Sequence, residues 1–200
     1  METIGDITKW LEDDGENTYR LNYNLNKDSI IFNLGAYGGS FTEEIYNKYK
    51  SKIYCFEPMP YYYELMRLKF YHNKNIIISP YGITAKNEKR IIYFNEDSSS
   101  LFIKTDMPFE IECVTLDNVM SKYNIEHIDL IKINIEGGEF FLLDDMIIKG
   151  LHMKCDNIQV QFHIFIENYD DRYKNIKWAL EKTHHLTYRY PYVWENWEKN

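Results

Sequence analysis

The 200-residue sequence lacks an excess of positive charge. It contains 23 lysines and arginines against 31 aspartates and glutamates, which gives a net charge of −8. A protein that tracks a phosphate backbone needs a positive surface, so this balance argues against nucleic acid as a partner. A neutral or cationic ligand remains compatible with it.

Cysteine is also scarce. The three cysteines, Cys55, Cys113 and Cys155, are far apart and odd in number. Because Cys55 and Cys155 lie in apolar runs, we expect buried free thiols in a reducing compartment, and hence a cytoplasmic protein. The sequence shows neither a signal peptide nor an apolar run of membrane-spanning length.

Repeats, low-complexity tracts and interdomain linkers are absent, which predicts a single domain over residues 1–200. A chain of this length can bury a full core. Residues 1–25 are predicted to form a helical cover over one edge of a core made by residues 26–200. The apolar positions of that cover are Ile4, Ile7, Trp10 and Leu11.

Short apolar runs alternate with helical stretches through most of the chain. Strands are predicted near residues 30–34, 53–57, 75–79, 128–134 and 157–163. Helices are predicted near residues 39–50, 60–71, 115–123, 138–148 and 171–183. This alternation predicts an α/β fold with a mostly parallel sheet and helices on both faces.

Two regions depart from the alternation, residues 82–114 and the C-terminal segment. Residues 90–94 and 109–114 are predicted as extra strands, and Ser98–Ser100 as a loop between them. The aromatic, alternating segment 186–197 is predicted to form a hairpin or an edge strand.

A glycine-rich turn follows the first predicted strand. Gly35, Gly38 and Gly39 lead into a helical segment, and the next apolar run ends in Glu57. An acid about 20 residues beyond such a turn can accept hydrogen bonds from ribose hydroxyls. The pattern therefore favours a nucleoside-type ligand, the alternative being a strand–helix turn that binds nothing.

The turn also discriminates between cofactors. Tyr37 and Ser40 occupy the second and third glycine positions of the dinucleotide fingerprint, where they obstruct a pyrophosphate. This makes a nicotinamide-dependent oxidoreductase the weaker hypothesis. S-adenosylmethionine has no phosphate and needs only a close turn and a helix N-terminus for its carboxylate.

The segment 128–139, IDLIKINIEGGE, is a strand followed by a glycine turn. Lys132, Asn134 and Glu136 alternate, which places them on one side of the strand near its C-terminal end. A lysine and a glutamate are costly in a central strand unless they are paired or functional. The alternative is a buried structural Lys–Glu pair.

His163 ends the run IQVQFH, near the C-terminal end of another predicted strand. Its ordinary pKa makes it a candidate general base, and a histidine satisfied by core partners is the alternative. The tandem His184 and His185 are interpreted as structural, and no metal site is predicted.

The segments NLGAYGGSFT, YCFEPMP, VTLDNV and IDLIKINIEGGE, in this order, resemble the FkbM family of class I O-methyltransferases. The resemblance covers roughly residues 30–165. It implies a Rossmann-like, seven-stranded sheet, S-adenosyl-L-methionine as cofactor and S-adenosyl-L-homocysteine as product. It also implies methylation of a hydroxyl, for which we expect a sugar or glycan acceptor, such as a deoxyhexose like rhamnose.

Cofactor-binding residues are predicted on three segments at the strand ends. They are Asn33, Gly35, Ala36, Tyr37, Gly39 and Ser40, then Glu57, Pro58 and Met59, and finally Tyr81 and Gly82. Tyr81 is predicted to stack on adenine, with a surface tyrosine as the alternative.

Acceptor-binding residues are predicted in two places. Ser98 and Ser99 fall in the family's substrate loop, where an ordinary solvated loop is the alternative. Trp194 and Trp197 are candidates for a sugar platform, although hydrophobic capping of the sheet edge is the preferred interpretation.

In the mechanism expected from these residues, His163 takes the hydroxyl proton, Glu136 or Asn134 holds the acceptor, and Lys132 locks Glu136. Asn33 and Asn134 stand where the family usually has aspartates, so hydrogen bonding is kept and charge is lost. A catalytically weakened cofactor- or glycan-binding module is therefore an alternative. The length would suit a domain excised from a larger glycan-building protein with other glycan-assembly domains.

Overall fold

The structure is a computed structural model that describes residues 7–95, 98–100 and 108–200. Its strands are β1 (Ile30–Leu34), β2 (Lys52–Phe56), β3 (Ile76–Ser79), β4 (Tyr81–Ile83), β5 (Glu88–Asn95), β6 (Ser98–Ser100), β7 (Pro108–Val114), β8 (Ile128–Ile133), β9 (Cys155–Val160), β10 (His184–Tyr190) and β11 (Trp194–Lys199). Its helices are α1 (Ile7–Glu12), α2 (Ser40–Tyr49), α3 (Pro60–Lys69), α4 (Leu116–Tyr123), α5 (Glu139–Ile148) and α6 (Tyr169–Leu180), with a 3₁₀ turn at Leu151–Lys154.

A seven-stranded sheet forms the centre of the fold, in the order β10-β11-β9-β8-β1-β2-β3. The pairs from β9 to β3 are parallel, and β11 is antiparallel to both of its neighbours. The predicted α/β fold with a mostly parallel, seven-stranded sheet is confirmed. The segment 186–197 forms a hairpin, of which β10 is the edge and β11 lies inside the sheet.

Strand alternation divides the core between the two faces of the sheet. Phe32 and Leu34 of β1 pack in one apolar cluster with α4, α5 and α6, whereas Ile31 packs in another with Phe41 and Ile45 of α2. Burial of both faces explains why β1 and β8 carry apolar residues at successive positions.

A second sheet has the order β4-β7-β5-β6 and carries both of the predicted extra strands. The loop predicted at Ser98–Ser100 is wrong, because this segment pairs antiparallel with β5 as a short strand. A run of serines has little strand propensity, so the hairpin partner decides its conformation.

The N-terminal helix α1 packs on the edge strand β10. Trp10 is buried against Tyr190 and Tyr188, with ring centroids 5.1 and 6.1 Å away. Ile7 and Leu11 are exposed, since a six-residue helix presents only one position to the sheet. Ile4 lies outside the described residues.

All three cysteines are buried free thiols. None of the helices in the described part of the chain has the length and apolarity that crossing a bilayer requires.

Candidate functional site

A cavity of about 300 Å³ opens at the C-terminal ends of β1, β2 and β8. The turns that follow these three strands form one wall, and apolar residues of the second sheet form the opposite wall. This is the edge at which open α/β sheets bind ligands.

Gly35 holds the first turn against the third. Its φ is +72°, and a Cβ at this position would lie 1.8 Å from the carbonyl oxygen of Asn134. The Gly35 and Ala36 amides donate to the Phe56 carbonyl at 3.0 and 3.2 Å. Only glycine permits so close an approach of the backbone after β1 to the backbone after β8.

Glu57 is buried and joins the first two turns. Its carboxylate accepts hydrogen bonds from the Tyr37 amide at 2.7 Å and from the Met59 amide at 2.9 Å. Burial raises the pKa of Glu57, while the two amides and Lys132 oppose that rise. Each carboxylate oxygen keeps a further lone pair, so Glu57 can accept hydroxyl donors as well as organise the turns.

Asn134 and Asn33 have different surroundings. Asn134 lines the cavity, and its Oδ1 is buried without a hydrogen-bond partner among the described residues. Asn33 is fully buried and donates from Nδ2 to Thr42 Oγ1 of α2 at 2.9 Å. Asn33 does not line the cavity, because its amide is bound to α2 in the core, so the structure does not bring it to the predicted cofactor site.

Lys132 lines the cavity but does not lock Glu136 as predicted. Its Nζ donates to the Gly35 carbonyl at 2.9 Å. Burial, and then the charge of Arg20, lower the pKa of Lys132 to about 7. Lys132, Asn134 and Glu136 all line the cavity, as the alternation predicts, although β8 ends at Ile133 and Glu136 adopts a left-handed φ of 52°.

Glu136, His163 and Glu139 form a chain at the border of the cavity. The His163 amide and Nδ1 both lie 2.7 Å from Oε1 of the fully buried Glu139, and His163 Nε2 lies 3.5 Å from Glu136 Oε2. Glu136 lines the cavity, whereas His163 lies behind it. Burial alone would lower the pKa of His163, but the hydrogen bond to Glu139 and both carboxylate charges outweigh it and raise the pKa.

The cavity contains most of the residues predicted from the sequence. Those that line it are Gly35, Ala36, Tyr37, Ser40, Glu57, Pro58, Met59, Gly82, Lys132, Asn134, Glu136 and Trp194.

Three further predicted residues lie elsewhere, each for a local reason. The Cβ position of Gly39 faces Phe70, since Gly39 caps α2 with a φ of 79°. Tyr81 does not line the cavity, and its ring lies 5.0 Å from Lys122 Nζ. Trp197 is buried in the core, with 1% of its surface exposed.

The Trp197 indole donates to Glu195 Oε1 at 2.7 Å, so it cannot form a sugar platform. Trp194, which lines the cavity, is the one tryptophan of the predicted pair placed to do so. The predicted acceptor contacts of Ser98 and Ser99 concern side chains that lie outside the described part of the chain.

Sequence reasoning missed the apolar wall from the second sheet, and it also missed the polar and aromatic residues Arg20, Phe41, Tyr62 and Glu139 of this region. Arg20 lies in the stretch after α1, which has no apolar periodicity. Tyr62 lies on α3, and the centroid of its ring is 4.1 Å from that of Tyr37. For Glu139, the sequence indicated only a position at the start of a helix and no contact with His163.

One group of potential metal ligands occurs among the described residues, formed by His127, Asp129 and Asp156. These residues lie where β8 and β9 begin, at the opposite edge of the sheet from the cavity. The group therefore takes no part in the candidate site.

Residues 33–190 match the family model described as the methyltransferase FkbM domain. No curated protein matches the sequence.

Solved methyltransferase structures share the fold at 14% sequence identity. A putative methyltransferase from Streptococcus mutans in complex with SAH has a TM-score of 0.57 over 95% of this chain and 97% of that chain. An rRNA methylase from Streptococcus thermophilus has a TM-score of 0.52, with 94% and 95% covered. TrmK from M. capricolum, in complex with S-adenosyl-homocysteine, has a TM-score of 0.51, with 92% and 68% covered. At this identity the likeness establishes the fold alone.

Proposed function

The chain belongs to the FkbM methyltransferase family, and from that premise we propose that it methylates a hydroxyl group of a sugar. Membership makes it an S-adenosylmethionine-dependent methyltransferase, and the acceptor is the proposed part. The observation that carries the proposal is the Glu139–His163–Glu136 chain at the cavity, because a hydroxyl acceptor must lose a proton when it is methylated.

The residues of the cavity fit the cofactor. The Gly35 turn leaves room for close approach, the Glu57 carboxylate suits ribose hydroxyls, and the orphaned Asn134 Oδ1 suits a donor such as an ammonium. The volume of about 300 Å³ lies within the range of small-molecule sites. When bound, the cofactor supplies an electrophilic methyl group on its sulfonium.

His163 is the proposed general base. Because Nδ1 donates to Glu139, the lone pair of neutral His163 is on Nε2, which is the nitrogen nearer the cavity. A hydroxyl that hydrogen-bonds to Glu136 lies within reach of Nε2, which takes its proton. The resulting imidazolium is stabilised between two carboxylates, as in other histidine–carboxylate arrangements.

Aromatic side chains and the protein's charge support a sugar as the acceptor. Trp194 lines the cavity, and so does Tyr37, which is 47% exposed and whose ring packs at a tilt of 41° against that of Tyr62. Such rings present flat apolar faces to a pyranose, while Glu136 and Asn134 offer acceptors for its hydroxyls. The net charge of −8 disfavours a polyanionic nucleic acid.

The decisive experiment is a methyl-transfer screen with deoxyhexoses, hexoses, hexuronic acids and a structured RNA, each with and without EDTA. We expect transfer to a neutral sugar, unaffected by EDTA. Activity on the RNA without any on sugars would overturn the proposed acceptor. Loss of activity with EDTA would replace the histidine-base mechanism by one that needs a metal.

A catalytically weakened cofactor- or glycan-binding module is the second candidate. It is favoured by Asn33, whose amide is committed to Thr42 and offers the cavity no charge. Calorimetry with S-adenosylhomocysteine, combined with the acceptor screen, separates the two hypotheses. Cofactor binding without transfer to any acceptor of the screen would support the binding module.

A further inference from the structure

A half-buried cation, Arg20, and a buried one, Lys132, share one end of the cavity. The guanidinium carbon of Arg20 lies 5.2 Å from the ring centroid of Phe41 and 5.3 Å from that of Trp194. The ammonium of Lys132 lies 6.0 and 5.7 Å from the same two rings. All four residues line the cavity, so two cationic groups face one space between two aromatic rings.

The protein leaves hydrogen-bonding capacity on both cations. Arg20 pairs with Glu16 through Nη1, but its Nε is buried and has no partner among the described residues. Lys132 donates to Gly35, and an ammonium has three N–H donors. Buried donors without acceptors cost free energy, and a negatively charged acceptor satisfies them best.

The acids near Lys132 do not neutralise it directly. The groups that act on its charge are Arg20 from the N-terminal segment, Cys55 of β2, and Glu57 and Glu136 from the turns. Arg20 has the largest of these electrostatic effects, and it is repulsive. Glu57 and Glu136 bind other partners, the backbone amides and His163 described above.

We propose that Arg20 and Lys132 form an anion subsite that takes a carboxylate group of a bound ligand. The guanidinium offers fixed planar donors, the ammonium adds a point charge, and the rings of Phe41 and Trp194 exclude water. The carboxylate comes either from the amino-acid part of S-adenosylmethionine or from an acidic acceptor such as a hexuronic acid. The inference rests on the proposed function, because it takes the cavity as the site of cofactor and acceptor.

The test is calorimetric binding of two nucleosides that differ in the carboxylate. S-adenosylhomocysteine has the amino-acid part and 5′-methylthioadenosine lacks it. In Arg20→Gln and in Lys132→Met we expect affinity for S-adenosylhomocysteine to fall at least about tenfold, while affinity for methylthioadenosine stays within about twofold. Arg172→Gln is the matched control, since Arg172 also pairs with an acid and lies over a ring, but outside the cavity.

Kinetics with an acidic and a neutral acceptor distinguish the two sources of the carboxylate. If the acceptor supplies it, both variants bind S-adenosylhomocysteine normally, and KM rises at least about tenfold for a hexuronic acid but not for the neutral sugar. The proposal is overturned if both variants keep the nucleoside affinities of the unsubstituted protein and also its ratio of KM for the hexuronic acid to KM for the neutral sugar.

Proton uptake tests the subsite in the unsubstituted protein. An anion beside Lys132 favours its protonated form, so we expect binding at about pH 8 to take up protons, measured as a binding enthalpy that varies with the ionisation heat of the buffer. Lys132→Met should abolish that dependence. If neither S-adenosylhomocysteine nor the hexuronic acid causes proton uptake, the proposal is overturned. This test does not depend on the Arg20→Gln variant, which would count as misfolded if it failed to bind methylthioadenosine. Failure of the sugar screen is a separate result, because cofactor binding needs no acceptor.

Discussion

The buried carboxylate of Glu139 binds His163 twice, through the backbone amide and through Nδ1, both at 2.7 Å. It also accepts a hydrogen bond from the Gly137 amide at 2.9 Å. One side chain at the start of α5 therefore fixes the turn after β8 and the orientation of the imidazole. This relationship sets the tautomer on which the proposed mechanism depends.

His163→Ala is expected to lower kcat by roughly 10²- to 10⁴-fold, the usual contribution of a positioned base. Affinity for S-adenosylhomocysteine should not change, since His163 does not line the cavity. The measurements are steady-state kinetics and calorimetry, with His185→Ala on the exposed side of β10 as the control. Turnover within a few fold of the unsubstituted enzyme would shift the role of base to Glu136.

Glu139→Gln is expected to move the pH dependence of kcat to lower pH. His163 works as a base only when neutral, so the rate rises with pH through its raised pKa. Removing the carboxylate withdraws stabilisation from the imidazolium, which lowers that pKa. Rate profiles between about pH 5 and pH 9 test this, because a purely structural defect would lower the curve without displacing it.

Glu57→Ala is expected to weaken binding of both S-adenosylhomocysteine and 5′-methylthioadenosine by at least about tenfold, because both carry the ribose. Calorimetry measures the effect. Glu64→Ala is the control, since Glu64 is an exposed acid on α3 that pairs with Arg67. Equal affinities in Glu57→Ala and the unsubstituted protein would remove Glu57 from the cofactor site.

Gly35→Ala is expected to destabilise the fold by about 2 kcal/mol or more, because the residue has a left-handed φ and no room for a Cβ. Gly38→Ala is the matched substitution in the same turn. A Cβ at Gly38 meets only Leu65 Cδ2, at an ordinary 3.8 Å. Denaturant unfolding of the two variants should therefore differ, and similar midpoints would show that the turn adapts.

In Lys132→Met, the free energy of unfolding is expected to increase less steeply with pH above neutrality than in the unsubstituted protein. The pKa of Lys132 is about 7 in the folded protein and ordinarily 10.5, so between these values the unfolded chain binds more protons. Stability then increases with pH through that window, by up to about 1.4 kcal/mol per pH unit. Unfolding free energies of both proteins from about pH 7 to pH 10 measure the difference, and parallel curves would contradict it.

Much of the site could be predicted because its residues follow strands in sequence. The turns at Gly35 and Glu57 come directly after β1 and β2, and parallel strands bring their C-terminal ends to one edge. The position of Arg20 at the cavity could not be predicted, because it depends on how the N-terminal segment packs, and that segment has no periodic pattern around Arg20. The partners of Asn33 and Lys132, which are Thr42 Oγ1 and the Gly35 carbonyl, could not be predicted, because the contacts of single side chains depend on packing that periodicity does not specify.

The sequence by itself determined the main alternation of strands and helices, the cofactor class and the turns that border the cavity, because apolar periodicity and glycine positions are local properties of the chain. Only the tertiary structure decided which side chains meet. It paired His163 with Glu139, turned Lys132 toward Gly35, and placed Arg20 between Phe41 and Trp194. Contacts between residues distant in sequence depend on packing, which no local pattern records.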